Sequence, residues 1–171
     1  PDNERTMNTF LGSSSLLSEN DISKESIEDS DYLLIEGYLV TSDATLNVGI
    51  SAINIAHENN TKTVITLSDP NIVSYFRDNM MKLFNKKSHI IFCNEQEALN
   101  FSQADNLKNA EAFLKELTDM YVITLGSKGA ICFDGSNDHK ITGHQVESKD
   151  FTGAGDMFLG AFMHKYADTN I

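Results

Sequence analysis

The stretch YLLIEGYLVTSDATLNVGISAINIAHENNTKTVITLSD, residues 32–69, decides the fold class. Tyr32-Leu33-Leu34-Ile35 is an uninterrupted apolar run, as expected for a strand covered on both faces. Ser42-Asp43 then offers a helix start, and Leu46, Ile50 and Ile53 recur at helical spacing toward His57. Residues 63–67 form a second apolar strand, closed by Ser68-Asp69-Pro70. Strand, helix and strand in that order make a crossover unit, which joins parallel neighbours in one sheet.

The alternation continues downstream. Residues 71–84 read as one helix with Ile72, Tyr75, Phe76, Met80 and Leu83 near one stripe, and residues 89–93 as a third strand. Helical segments follow from Glu95 and over residues 106–117, then a fourth strand at 121–125. Residues 130–133 and 140–146 suggest short antiparallel strands, and residues 155–166 a closing helix. Upstream, Ser13-Ser14-Ser15 resembles a linker and residues 18–30 are acidic and serine-rich. The expected architecture is α/β: one domain over residues 1–171, a mostly parallel sheet with helices on both faces. In such sheets ligands gather where strands end and helices begin. Those ends carry Glu36-Gly37, Asp69-Pro70, Asn94-Glu95, Gly126-Ser127 and residues 150–156, all polar or small in an apolar setting.

Composition narrows the chemistry. The formal net charge of −12 opposes a phosphate backbone, which argues against non-specific nucleic-acid binding and requires local donors and a cation at any nucleotide site. No apolar run approaches membrane-spanning length, and the first residues lack the basic and apolar regions of a signal peptide. Cys93 and Cys132 sit in apolar, strand-like runs and read as buried free thiols of a cytoplasmic protein. The five histidines show no metal-ligand spacing with them, so zinc is not expected.

The strongest chemical signal is Asp150-Phe151-Thr152-Gly153-Ala154-Gly155-Asp156, running into Met157-Phe158-Leu159. Small residues at 153–155 let successive amides converge at a helix N-terminus, where free N–H groups and the helix dipole favour an anion. Asp156 falls in the first turn beside that pocket, where a carboxylate can take a proton from an attacking hydroxyl. A plain tight turn followed by a favourable first-turn acid is the structural alternative. Asn94 and Glu97, three apart across a helix start, point to one region; they also match a capping box. Thr124-Leu125-Gly126-Ser127-Lys128-Gly129 follows the fourth strand and at minimum turns the chain.

Taken together, Asp-x-x-Gly-Ala-Gly-Asp before an apolar helix, preceded by Asn-x-x-Glu, resembles the pfkB family of ribokinase- and adenosine-kinase-like enzymes. The usual signature has threonine where this chain has Phe151, a side-chain departure outside the amide nest. The resemblance implies an ATP-dependent kinase acting on a primary hydroxyl of a sugar or nucleoside. It makes Gly153, Ala154, Gly155 and Asp156 the hole for the transferring phosphoryl group, with Asp156 as base. It makes Asn94 and Glu97 organisers of Mg²⁺ and phosphate, largely through water, and it brings Thr124, Gly126, Ser127 and Gly129 toward the ATP phosphates. Lys128 reads better as a solvated turn residue. Glu36, in Ile35-Glu36-Gly37-Tyr38-Leu39, is a candidate for a substrate hydroxyl, Asp150 for a substrate contact, and Asp69 for cation ordering or an Asx-Pro turn.

The resemblance also extends to residues 1–12, which look like the segment after the lid of adenosine-kinase-like members and lean the reading toward the adenosine/ribosyl branch. A family member is considerably longer, so the lid and first strands are expected to be missing here, together with most acceptor contacts. The 171 residues alone are expected to be inactive, and any homodimer would form through the missing lid. Two other nucleotide folds are disfavoured, because neither Gly-x-Gly-x-x-Gly after an early strand nor Gly-x-x-x-x-Gly-Lys-Ser/Thr occurs. The remaining rival is a catalytically silent nucleotide-binding regulatory module of the same fold.

Overall fold

The structure is a computed structural model and describes residues 12–147 and 149–169. The match at residues 1–11 therefore lies outside the described residues. Six strands form one sheet in the order β1 (Tyr32–Glu36), β2 (Lys62–Thr66), β3 (Ser88–Asn94), β4 (Thr118–Thr124), β5 (Ala130–Phe133) and β6 (Asp138–Ile141). The first four run parallel and the last two are antiparallel. Because spatial order follows chain order, each crossover returns on the same side. The helices α1 (Lys24–Glu28), α2 (Asp43–Glu58), α3 (Pro70–Tyr75), α4 (Arg77–Lys82), α5 (Glu95–Ser102) and α6 (Leu107–Leu117) precede the last parallel strand. Side chains from all six lie in the main core cluster or pack against it.

Strand alternation assigns the two faces. Ile35, Ile65, Ile91, Tyr121, Ile123 and Ile131 point into that core with Leu46, Ile53, Val73, Met80, Phe101 and Leu114 from the helices. Val64, Ile90, Phe92, Met120 and Val122 point the other way, onto α7 (Ala154–Thr169). Helices thus cover both faces, but among the described residues the second face has a single one. Phe162 meets Phe92 edge-on at 5.2 Å between ring centres, and Tyr166 reaches His89 by a 3.1 Å hydrogen bond. These contacts run α7 against the strand direction, which brings its N-terminus to the carboxyl ends of β3 and β4.

Some local expectations change. The helix expected over 71–84 is two, broken at Phe76, whose φ of −119° and ψ of 29° leave the helical region. The break turns Tyr75 out to solvent, away from the stripe its spacing suggested. Arg77 Nε donates to the Phe101 carbonyl at 2.8 Å, tying the second piece to α5. Ser13-Ser14-Ser15, expected as a linker, lies in a 3-10 helix over Gly12–Leu16, and in the acidic segment that follows α1 buries Ile27, whose carbonyl accepts from Thr61 Oγ1 at 2.8 Å. Strand β6 ends at Ile141 rather than extending to 146, because Gly143 packs against the Ser127 carbonyl, where a Cβ would stand 2.5 Å away. Cys93 is buried, whereas Cys132 is only partly so.

Candidate active site

A cleft of about 390 Å³ opens at the carboxyl ends of the parallel strands. Its walls bring together Glu36 from β1, Thr66 and Ser68 from the end of β2, Cys93 and Asn94 from β3, Glu97 from α5, Thr124 from β4, and Gly153 to Asp156 from α7 and its approach. Tyr38, Phe92, Phe151, Phe158 and Leu159 complete the lining. Among the described residues the walls hold three carboxylates, those of Glu36, Glu97 and Asp156, and no lysine, arginine or histidine.

The approach to α7 is built locally. Asp150 Oδ1 accepts from the Thr152 amide at 2.8 Å, and Gly153 adopts a φ of 75°, which glycine reaches without a Cβ penalty. The Ala154 amide donates to the Phe151 carbonyl at 3.1 Å, and Met157 N–H to the Gly153 carbonyl at 2.9 Å. The amides of Gly153, Gly155 and Asp156 have no acceptor among the described residues. Ala154, expected to contribute its amide, is thus engaged in the turn. Asp156 lies in the first turn of α7 with its side chain exposed.

Asn94 and Glu97 form a full capping box. Asn94 Oδ1 accepts from the Glu97 amide at 2.8 Å, and Glu97 Oε2 accepts from the Asn94 amide at 2.9 Å. Asn94 Nδ2 adds a bond to Glu97 Oε1 at 2.7 Å. Glu97 is 5% exposed, and burial pushes its carboxyl up to about 7 despite the Asn94 amide, with the Asp69 charge adding to the rise. The same pair therefore caps α5 and faces the cleft. Burial, reinforced by Glu97, also raises the Cys93 thiol well above its ordinary range.

Other sequence-nominated residues are placed differently. Asp69 Oδ1 accepts from Asn71 N at 2.7 Å and Ile72 N at 3.2 Å, capping α3 in the Asx-Pro manner. Gly126, Ser127 and Gly129 form the turn between β4 and β5 and are not among the cleft walls, nor is Asp150, whose carboxylate accepts from the Thr152 amide. Lys128 is exposed and sits 3.7 Å from the Glu95 carboxylate. Sequence reading passed over Ser68, Thr66 and Tyr38; the first of these follows the apolar run of β2 directly, at the strand end where such sites form.

Among the described residues, no helix is long and apolar enough to cross a membrane, and no cluster of three or more His, Cys, Asp or Glu side chains could hold a metal ion by itself. A ribokinase of Dictyostelium discoideum is 27% identical over 177 residues, covering 93% of this chain and 54% of the relative. The adenosine kinase structure from Sinorhizobium meliloti superposes with a TM-score of 0.83 at 27% identity, covering 89% of this chain and 47% of that one. An Escherichia coli ribokinase-type structure in complex with ATP and Mg²⁺ has the same fold, with a TM-score of 0.78 at 23% identity, covering 87% and 49%. The chain therefore spans about half the length of these relatives. The pfkB family carbohydrate kinase model matches residues 1–170, and on that match the chain belongs to this family.

Proposed function

We propose that the whole protein transfers the γ-phosphoryl group of ATP to a primary hydroxyl of a sugar or nucleoside, with the adenosine/ribosyl class favoured. One observation carries this reading: the free amides at the start of α7, Asp156, the Asn94–Glu97 pair and Glu36 line one cleft. In this account the hydroxyl oxygen attacks the γ-phosphorus, the bond to the bridging oxygen breaks, and ADP leaves. Asp156 receives the hydroxyl proton. The amides of Gly153, Gly155 and Asp156 aim at the charge that gathers on the moving group, the effect with the largest share in such reactions. Glu36 orients the acceptor, and the turn from Gly126 to Gly129 flanks the nucleotide beside Thr124.

The donor set suits a hydrated magnesium ion. Three carboxylates without a facing cationic side chain would repel a triphosphate unaided, and Mg²⁺ is held by few carboxylates while keeping much of its water. Glu97 and Asn94 would hold it, and it would supply neutralising charge between phosphates. The remaining work belongs to this chain's amides and to Asp156.

The test is MgATP consumption by the whole protein across a panel of sugars and nucleosides. We expect ADP release that depends on one acceptor class. A silent regulatory module would bind MgATP with no acceptor-dependent turnover, and that result would contradict the proposal.

A further inference from the structure

Ser68 follows β2 by two residues with a φ of 70°, in the left-handed region that a residue with a Cβ enters at a cost. Its Oγ is buried and has no hydrogen-bond partner among the described residues, a second cost, since an unmatched buried hydroxyl forfeits its hydration. Its amide is satisfied by Thr66 Oγ1 at 3.3 Å. The folded chain therefore gains nothing visible from the hydroxyl, and glycine or asparagine would suit the backbone better.

The position gives the costs a reason. The residue lines the cleft. Thr66 pairs with Phe92, and Asn94, two residues beyond Phe92, pairs with Thr124; Ser68, two residues beyond Thr66 in the chain, lines the cleft with both. Glu36 pairs with Thr66 and lies one layer deeper. Ser68, Asn94 and Thr124 thus line one cleft from where three adjacent strands end, and Asn94 and Thr124, proposed above to face the nucleotide, stand two residues beyond the register level of Glu36. Among the described residues no lysine, arginine or histidine lines the cleft, so a neutral donor is what this wall can offer an anion.

We infer that Ser68 is a nucleotide-binding residue whose hydroxyl, turned about its Cα–Cβ bond, donates a hydrogen bond to a phosphate oxygen of the magnesium-bound nucleotide. This rests on the kinase reading above.

Two variants of the whole protein test it, Ser68→Gly and Ser68→Ala. Glycine removes the hydroxyl while relieving the backbone, so a purely structural role predicts equal or higher thermal stability with unchanged kinetics. The inference instead expects Ser68→Gly to keep or raise the melting temperature while the KM for MgATP rises roughly ten- to a hundredfold, as for loss of a hydrogen bond to a charged group. The KM for the acceptor should stay within about threefold, too little to register as a lost hydrogen bond. Wild-type KM for MgATP in Ser68→Gly would overturn the assignment even if Ser68→Ala fails to fold, as would a change confined to the acceptor. A wild-type protein that neither binds nor turns over MgATP would overturn the kinase reading itself, before either variant is compared.

Discussion

Glu97 holds the most informative single charge in the molecule. Its carboxyl is raised to about 7 from 4.5, first because it is buried. Between those values the unfolded chain has released the proton while the folded chain retains it. The folded state therefore binds more protons, and stability falls as pH rises through that window, levelling off above about 7. We expect Glu97→Gln to flatten the pH 5 to 7 segment of the denaturation profile, with a difference on the order of 2–3 kcal/mol at neutral pH. An unchanged slope would show that Glu97 is not the group responsible. The Asn94–Glu97 spacing was legible in the sequence because capping and cleft-facing positions coincide at the first turn of a helix. Ser68 was not, since its left-handed backbone and enclosed hydroxyl come from how the chain passes between β2 and α3. The engagement of the Ala154 amide was equally hidden, because it depends on where the Phe151 carbonyl falls.

At the scale of elements, the parallel strands and long helices follow from apolar runs and periodicity, and the first five strands and α2, α6 and α7 were legible to within a few residues, whereas β6 shares only residues 140 and 141 with the strand expected there. The miss at Phe76 has a different origin. Helical spacing persists through residues 71–84, but Arg77 bonding to the Phe101 carbonyl and the burial of Met80 favour a break that no local signal announces. The β4–β5 turn shows the opposite case, where a residue nominated for ligand contact has a demanding structural task. Gly129 has a φ of 106°, and a Cβ there would stand 1.8 Å from the Ile141 carbonyl oxygen. Gly129→Ala should destabilise the protein by about 2–4 kcal/mol through strain and displacement of β6. A denaturant midpoint close to that of the parent would show that the hairpin can shift at little cost.

For the whole molecule, the asymmetry of its two faces matters most. One face of the sheet carries a deep core, while among the described residues the other rests on α7 alone, where only Tyr166 is buried among sixteen residues. Leu34 is 45% exposed and Met157 73% exposed, and among the described residues β1 is the edge strand of the sheet. Such surface invites association. We expect residues 1–171 by themselves to bind an apolar dye and to self-associate; a monomer without dye binding would contradict this. The mixed order of the sheet, parallel then antiparallel, was anticipated from short strands after the fourth, but the exposure of α7 was not, since its sequence is apolar enough for a buried helix. The account turns on one carboxylate set against the free amides that open this helix. The most direct check is Asp156→Asn in the whole protein, measuring acceptor-dependent turnover alongside MgATP affinity. Turnover should fall on the order of a hundred- to ten-thousandfold, as for loss of a positioned base, with affinity nearly intact; turnover within a few fold of the parent would contradict the account.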